Sequence, residues 1–269
     1  MTHRPPLGQH FLRDMHLVET IVHSAELGPE DIALEIGPGR GILTEALAAK
    51  AGSVTAVELD RQLASRLQAR WKDQGKVRII HDDFLKTDLD SLWPGALRSP
   101  VKIFGNLPYS ITSPIFEKIL PWDKWRTGVF LVQREVGDRM RSAPGARTYG
   151  ILSLAVQLFA DVEMIAKVKP GAFNPPPKVM SMVVRIIRRK PVLPPEHIPY
   201  FFDLVHAAFA HRRKTLANSL AFFSDRPRKD VEKWLASQGV SGLRRAESFS
   251  LEEFVRLSCP WAFFRREMN

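Results

Sequence analysis

The chain has 269 residues and a mass of 30.5 kDa, enough for one large domain or a large and a small one with a core that needs no covalent staples. Its single cysteine, Cys259, excludes a disulfide framework and a cysteine-rich zinc module, and the eight histidines show no paired ligand spacing, so no metal site is expected. Lys and Arg number 39 against 29 acids, and the excess is uneven: residues 1–170 hold 22 basic and 20 acidic side chains, residues 171–269 hold 17 and 9.

A near-neutral body joined to a basic tail points to catalysis in front and a polyanion-binding face behind. No apolar run reaches the roughly 18 residues of a membrane span. The opening Met1-Thr2-His3-Arg4-Pro5-Pro6 has no apolar core, so neither membrane nor secretory signal is expected and a reducing cytoplasm is the expected location. Nothing in the pattern resembles a coiled-coil seam, and a monomer is expected.

In chain order, residues 14–27 read as an amphipathic helix capped by Asp14. Ile32 to Ile36 reads as a buried strand, Ile42 to Lys50 as a helix, Val54 to Glu58 as a strand and Arg61 to about Trp71 as a helix. Strands follow at Val77 to Ile80 and Val101 to Phe104, a helix at Pro114 to Leu120 and a strand at Gly128 to Val132. This alternation predicts an α/β fold, a mostly parallel Rossmann-like sheet covered by helices. After residue 160 the pattern turns to period two over Val162–Val168 and to a β-rich run over Val179–Ile187, separated by a Pro-rich segment expected to be irregular. A linker is expected near residues 188–197, with helical spacing beyond it. The predicted division is a catalytic domain over 1–190 and a small basic helical domain over 191–269.

The first strand runs into Gly37-Pro38-Gly39-Arg40-Gly41, which opens a helix; glycines there let the backbone turn tightly and approach a ligand. The second strand ends in Val57-Glu58-Leu59-Asp60, with Glu58 21 residues after Gly37, the spacing at which an acid takes ribose hydroxyls. The loop is Gly-x-Gly-x-Gly rather than the dinucleotide Gly-x-Gly-x-x-Gly, and Glu35 precedes it, an acid that would repel a pyrophosphate and suit a cationic amino-acid cofactor. S-adenosylmethionine is therefore favoured over NAD, with Gly37, Gly39 and Glu58 as contacts. Asp83 follows the third strand, where a carboxylate takes an adenine amine or caps a turn.

The fourth strand leads into Asn106-Leu107-Pro108-Tyr109. The exocyclic nitrogen of adenine is a poor nucleophile because its lone pair is delocalised into the ring. The Asn106 amide oxygen and the Leu107 carbonyl can accept both its hydrogens and aim the lone pair at a methyl group, Pro108 stiffens the turn, and Tyr109 offers a stacking face. Positioning suffices, because the proton leaves after the nitrogen has become cationic.

With these motifs the sequence resembles the KsgA-type rRNA adenine dimethyltransferases along nearly its whole length. The resemblance extends from Gly8-Gln9-His10-Phe11-Leu12 through Phe173-Asn174-Pro175-Pro176-Pro177-Lys178-Val179 to Phe209-Ala210-His211-Arg212-Arg213-Lys214-Thr215-Leu216 and Arg245-Ala246-Glu247. It implies S-adenosylmethionine contacts at His10, Leu12, Gly37, Glu58, Asp83 and Asn106, with His10 standing where the family often has Asn. It implies that Phe173 stacks on the base opposite Tyr109, its other reading being a core residue. The implied substrate is a pair of adjacent adenosines near the 3′ end of small-subunit rRNA, within a ribosomal assembly particle. Arg212, Arg213 and Lys214 are the candidate RNA contacts; on a helix they would splay through about 200° and could not all face one partner. A large-subunit adenine methyltransferase of the macrolide-resistance type and a non-catalytic RNA-binding assembly factor are the alternatives.

Overall fold

The computed structural model of the chain describes residues 10–93, 95–211 and 213–266. In chain order the elements begin with β1 (Phe11–Leu12), α1 (Met15–Ser24), β2 (Ile32–Ile36), α2 (Ile42–Lys50), β3 (Ser53–Glu58), α3 (Arg61–Trp71) and β4 (Val77–His81). There follow β5 (Val101–Asn106), α4 (Thr112–Ile119), β6 (Trp125–Gln133), α5 (Arg134–Met140), α6 (Ile151–Phe159), β7 (Ala160–Val168), β8 (Phe173–Asn174) and β9 (Ser181–Arg188). The chain closes with α7 (Ile198–Phe209), α8 (Leu216–Ser224), α9 (Arg228–Ser237) and α10 (Leu251–Arg266).

The first compact unit runs to Gly137 and resumes over Asp161–Arg188. Its seven-stranded sheet has the order β4-β3-β2-β5-β6-β9-β7; neighbours from β4 to β6 are parallel, and β9 is antiparallel to β6. The chain leaves β2 towards β3 and returns on its other side as β5, which opens a crevice at the carboxyl ends of these strands. Both faces are covered, so the central strands are mostly apolar: Ala33, Leu34, Ile103 and Phe104 are fully buried. α1 starts where Asp14 accepts from Leu17 N at 3.2 Å, and it turns Leu17, Val18, Ile21 and Val22 inward as one stripe. On β5 the buried Lys102 ammonium donates to the carbonyls of Ala25 and Glu26 and to Asp31 Oδ2, at 2.7–2.9 Å. Its three protons are thereby satisfied, and the end of α1 is fastened to the sheet.

The structure departs from the sequence reading in three places. β5 reaches Asn106, which pairs with Leu131 of β6, so the amide sits on the last rung of a strand rather than in the turn beyond it. The Pro-rich segment is not wholly irregular, since Phe173 and Asn174 pair antiparallel with Leu12 and Phe11. The expected boundaries, 1–190 and 191–269, also shift: the second compact unit takes Asp138–Ala160 together with the chain from Arg189. The reason lies in α6, which buries seven of its nine residues and so reads as a near-continuous apolar run. It packs with α7, and Arg189 N donates to Phe159 O at 2.8 Å.

That second unit is helical. Phe201, Phe249, Phe254 and Trp261 are fully buried in it, and the Trp261 indole N–H donates to Asp203 Oδ2 at 2.7 Å. Among the described residues no helix is long and apolar enough to cross a membrane.

Candidate active site

A cavity of about 210 Å³ lies at the crevice of the first unit. Its lining comes from the β1 segment (His10, Phe11, Leu12), from the turn after β2 (Gly37 to Arg40), from the ends of β3 (Glu58) and β4 (Asp82, Asp83), and from Asn106 at the end of β5 through Ile111. Of the residues expected to bind cofactor, His10, Leu12, Gly37, Gly39, Glu58, Asp83 and Asn106 are all brought to this one cavity.

The glycine loop has a specific shape. Gly37 has φ +67° and Gly39 φ +58°, conformations that cost an L-side chain strain. A Cβ on Gly39 would stand 3.1 Å from the Phe11 ring, whereas beside Gly37 nothing lies within 4 Å. The space next to Gly37 is thus open to a ligand. Gly37 N donates to Val57 O at 2.9 Å, which fixes the loop to β3.

Glu58, expected at ribose hydroxyls, is seen to hold the loop backbone. It is 3% exposed; Oε2 accepts from Gly39 N at 2.9 Å and Oε1 from Asp60 N at 2.8 Å. A carboxylate has about four lone-pair sites, so capacity remains for a ligand while the same group shapes the loop. Glu58→Ala should therefore lower S-adenosylmethionine affinity roughly 10- to 150-fold, the range for losing a charge-assisted hydrogen bond. Two orphaned backbone N–H groups should also lower the melting temperature. Calorimetry and thermal melting check both, and unchanged affinity would remove Glu58 from the cofactor site.

Glu35, on β2 beneath the loop, is 2% exposed and accepts from Thr44 Oγ1 at 2.6 Å. Burial pushes its pKa up to about 8, the Thr44 hydrogen bond pulls it down, and the charge of Glu58 pushes it further up. A cationic ligand would reverse that balance. Asp83 accepts from Leu85 N at 3.0 Å and so caps a turn as well as lining the cavity. Its loop is held from α4, where the Lys118 ammonium donates to the carbonyls of Leu85 and Thr87.

The residues expected at the reacting centre gather around Asn106. Its Nδ2 donates to His10 O at 2.8 Å, which commits the donor end of the amide and orients Oδ1 as an acceptor. Leu107 is buried, its N–H donating to Leu131 O at 3.0 Å. Pro108 O accepts from Thr112 Oγ1 at 3.0 Å, so the turn is tied to α4. Tyr109 is half-buried, its hydroxyl 2.9 Å from Ser181 Oγ on β9. The His10 ring stands 5.9 Å from the Tyr109 ring, and its Nδ1 bonds Pro175 O at 2.8 Å. The His10 side chain therefore braces the Pro-rich segment, and its carbonyl serves Asn106.

One expected site residue is corrected. Phe173 is 1% exposed and belongs to the apolar core with Leu12, Phe104 and Leu131, so it has no free face to stack on a base opposite Tyr109. Its pairing with Leu12 through the β1–β8 ladder directs the ring inward, because side chains on a strand alternate.

The candidate RNA residues lie in the second unit. Arg213 and Lys214 are exposed in the turn between α7 and α8, closed by Lys214 N donating to His211 O at 2.9 Å, so the helical splay expected for them does not apply. Arg212 lies outside the described residues. The contacts to Phe11, Thr44, Ser181 and Pro175 were missed in the sequence, because each joins residues with no local pattern between them. Among the described residues no cluster of three or more metal-ligating side chains occurs.

A parallel sheet with a glycine turn after one strand, an acid ending the next and an Asn-x-Pro-aromatic turn ending a third defines a Rossmann-like S-adenosylmethionine-dependent methyltransferase. The family follows from comparison: the family model for ribosomal RNA adenine dimethylase matches residues 1–259, and the chain belongs to that family. It is 41% identical over 264 residues to the ribosomal RNA small subunit methyltransferase A of Moorella thermoacetica, covering 95% of this chain and 91% of that one. It is 40% identical over 259 residues to the protein of the same name from Bacillus cereus, covering 94% and 89%. A dimethyladenosine transferase from Plasmodium falciparum shares the fold, with a TM-score of 0.76 and 23% identity over 95% of this chain and 98% of that one. The 23S rRNA methyltransferase ErmE superposes with a TM-score of 0.65 and 29% identity over 94% and 99%. The protein is thus an S-adenosylmethionine-dependent rRNA adenine dimethyltransferase, as its motifs predicted.

Proposed function

We propose that this enzyme methylates the exocyclic amines of two adjacent adenosines near the 3′ end of small-subunit rRNA, acting in the cytoplasm as a monomer on an assembling ribosomal particle. The observation that carries the site assignment is the clamped amide of Asn106, whose donor end is held by His10 O at 2.8 Å. The cavity fits the cofactor: Gly37 leaves open space, and the buried carboxyl groups of Glu35 and Glu58 suit a cation bearing ribose hydroxyls. Glu58 would hold the ribose, Asp83 the adenine amine, and Gly37, Gly39, His10, Leu12 and Asn106 the remainder. When bound, S-adenosylmethionine supplies an electrophilic methyl group. Asn106 Oδ1 and the Leu107 carbonyl accept the two amine hydrogens of the target, which turns the nitrogen lone pair out of conjugation and towards the transferred carbon. Tyr109, held through Ser181, presents the stacking face. The second addition can engage only one of these two acceptors, because a single amine hydrogen remains after the first methyl transfer and the loss of a proton.

The likeness to ErmE keeps a large-subunit target as the second reading. The small-subunit reading is supported by the 40–41% identity to enzymes named for that subunit. Purified small and large subunits from cells lacking the enzyme, incubated with it and tritiated S-adenosylmethionine, decide between them. Label is expected in the small subunit alone, at two adjacent adenosines by primer extension. Label in the large subunit would overturn the proposal.

The exposed Arg213 and Lys214 would contact phosphate. Neutralising both should weaken particle binding and lower the slope of log affinity on log salt by about 0.7–0.9 per lost contact. An unchanged slope would assign both charges to solvent.

A further inference from the structure

α8 turns Leu216, Ala217, Ser219, Leu220 and Ala221 into the core of the helical unit, yet it ends in two phenylalanines that face out: Phe222 is 71% exposed and Phe223 39%. At about 100° per residue, position 222 lies off the buried stripe, so its ring adds little to the core, while Phe223 continues the stripe at the exposed end of the helix. One exposed phenylalanine would need no explanation. These two sit among basic and aromatic side chains, of which Arg265 also pairs with Asp203 Oδ1 at 2.5 Å. The Phe222 ring stands edge-on to His211 at 4.3 Å, and His211 opens the turn that carries the exposed Arg213 and Lys214. The Arg265 guanidinium lies 5.4 Å from the Phe223 ring, and Arg226 lies 4.2 Å from the Phe264 ring while donating to Arg265 O at 3.2 Å. Aromatic rings and cations thus meet at Phe223–Arg265 and at Phe264–Arg226, in the part of the chain that carries 17 basic against 9 acidic residues.

An apolar protein partner would be met by a surface poor in charge. Unpaired nucleotides are met by this one, because every base has a π-face and every linkage a phosphate. We propose that Phe222, flanked by Phe223 and the Arg226–Arg265 pair, is a stacking platform for an unpaired nucleotide of the rRNA substrate, separate from the cavity that holds the target adenosine. The proposal rests on the small-subunit rRNA reading above. Phe222 anchors through its ring and the arginines through charge, so the two kinds of contact respond differently to salt.

The test is equilibrium binding of the full-length protein to small ribosomal subunits lacking the methylations, with wild-type methylation of the same particles as the control for the substrate reading. Phe222→Ala should weaken binding roughly 5- to 150-fold, the range for one base–aromatic stack, with the salt slope unchanged. Phe222→Trp should restore it, and Phe222→Leu, which keeps apolar bulk without a π-face, should not. Circular dichroism should show all three variants folded, since the position is exposed. Wild-type affinity in the Ala variant overturns the platform, and full rescue by Leu overturns it in favour of an apolar protein contact. Particles that the wild-type enzyme cannot methylate would instead overturn the substrate reading, leaving the platform to be judged on the Ala, Leu and Trp affinities for whichever rRNA-bearing subunit is methylated.

Discussion

Asn106→Ala should cut turnover on the order of 100-fold or more while leaving rRNA affinity within a few-fold of wild type. The amide sits on the last rung of β5, its Nδ2 fixed by His10 O at 2.8 Å, so Oδ1 has one orientation before any substrate arrives. A preset acceptor contributes through alignment, and losing the alignment of a reacting group costs about that factor. Because the interaction matters most as the nitrogen rehybridises, the loss should fall on kcat rather than KM. Asn106→Asp gives a second reading. It keeps an acceptor but sets a carboxylate oxygen against the His10 carbonyl, so it should lose the clamp and resemble the Ala variant. Single-turnover kinetics paired with binding isotherms separate the outcomes. Equal falls in rRNA binding and turnover would mean that Asn106 acts by holding the β1 segment in place.

Glu35→Gln should raise stability above wild type, and increasingly so as the pH rises. Burial holds the Glu35 carboxyl up at about 8, against 4.5 in an exposed chain. Between those values the folded protein keeps a proton that the unfolded chain has released, so stability falls as pH increases, by up to about 1.4 kcal/mol per pH unit. The penalty is absent below the unfolded value and complete above the folded one. Gln retains an acceptor for Thr44 Oγ1 and does not titrate. The difference in unfolding free energy between variant and wild type should therefore widen by a few kcal/mol from roughly pH 5 to pH 8.5. Urea unfolding at the two pH values measures it. A difference that stays flat would mean that the folded protein holds Glu35 ionised throughout, and the cavity floor would carry one more negative charge than argued above.

The parallel core was legible because its strands are buried on both faces and the helices between them are not. Ile32–Ile36 and Ile42–Lys50 have the bounds their apolar patterns predicted, and Asp14 caps α1 as expected. The Asn106–Tyr109 turn and the glycine loop were legible for a similar reason: each is a contiguous stretch whose backbone demands, at Gly37 or Pro108, are written in residue type. α6 was not legible. With nearly every side chain buried it is a short, mostly apolar run, and such a run cannot be told from a buried strand by pattern alone. The turn holding Arg213 and Lys214 was missed because Thr215, the cap that starts α8, competes with an uninterrupted run of helix-compatible residues before it.

The sequence by itself determined the sheet class, the family, the cofactor and the residues that meet at its cavity, since these follow from short motifs at the ends of strands whose parallel order the alternation dictates. Only the tertiary structure decided what each of those residues is free to do. Phe173 went to the core because its two-residue ladder with β1 set the direction of its ring. Glu58 took a second task because folding brought Gly39 N and Asp60 N onto its oxygens. Asn106 acquired a fixed orientation from a carbonyl 96 residues away. Hydrogen bonds of this kind leave no periodicity behind, because they join groups whose separation along the chain has no bearing on their separation in space.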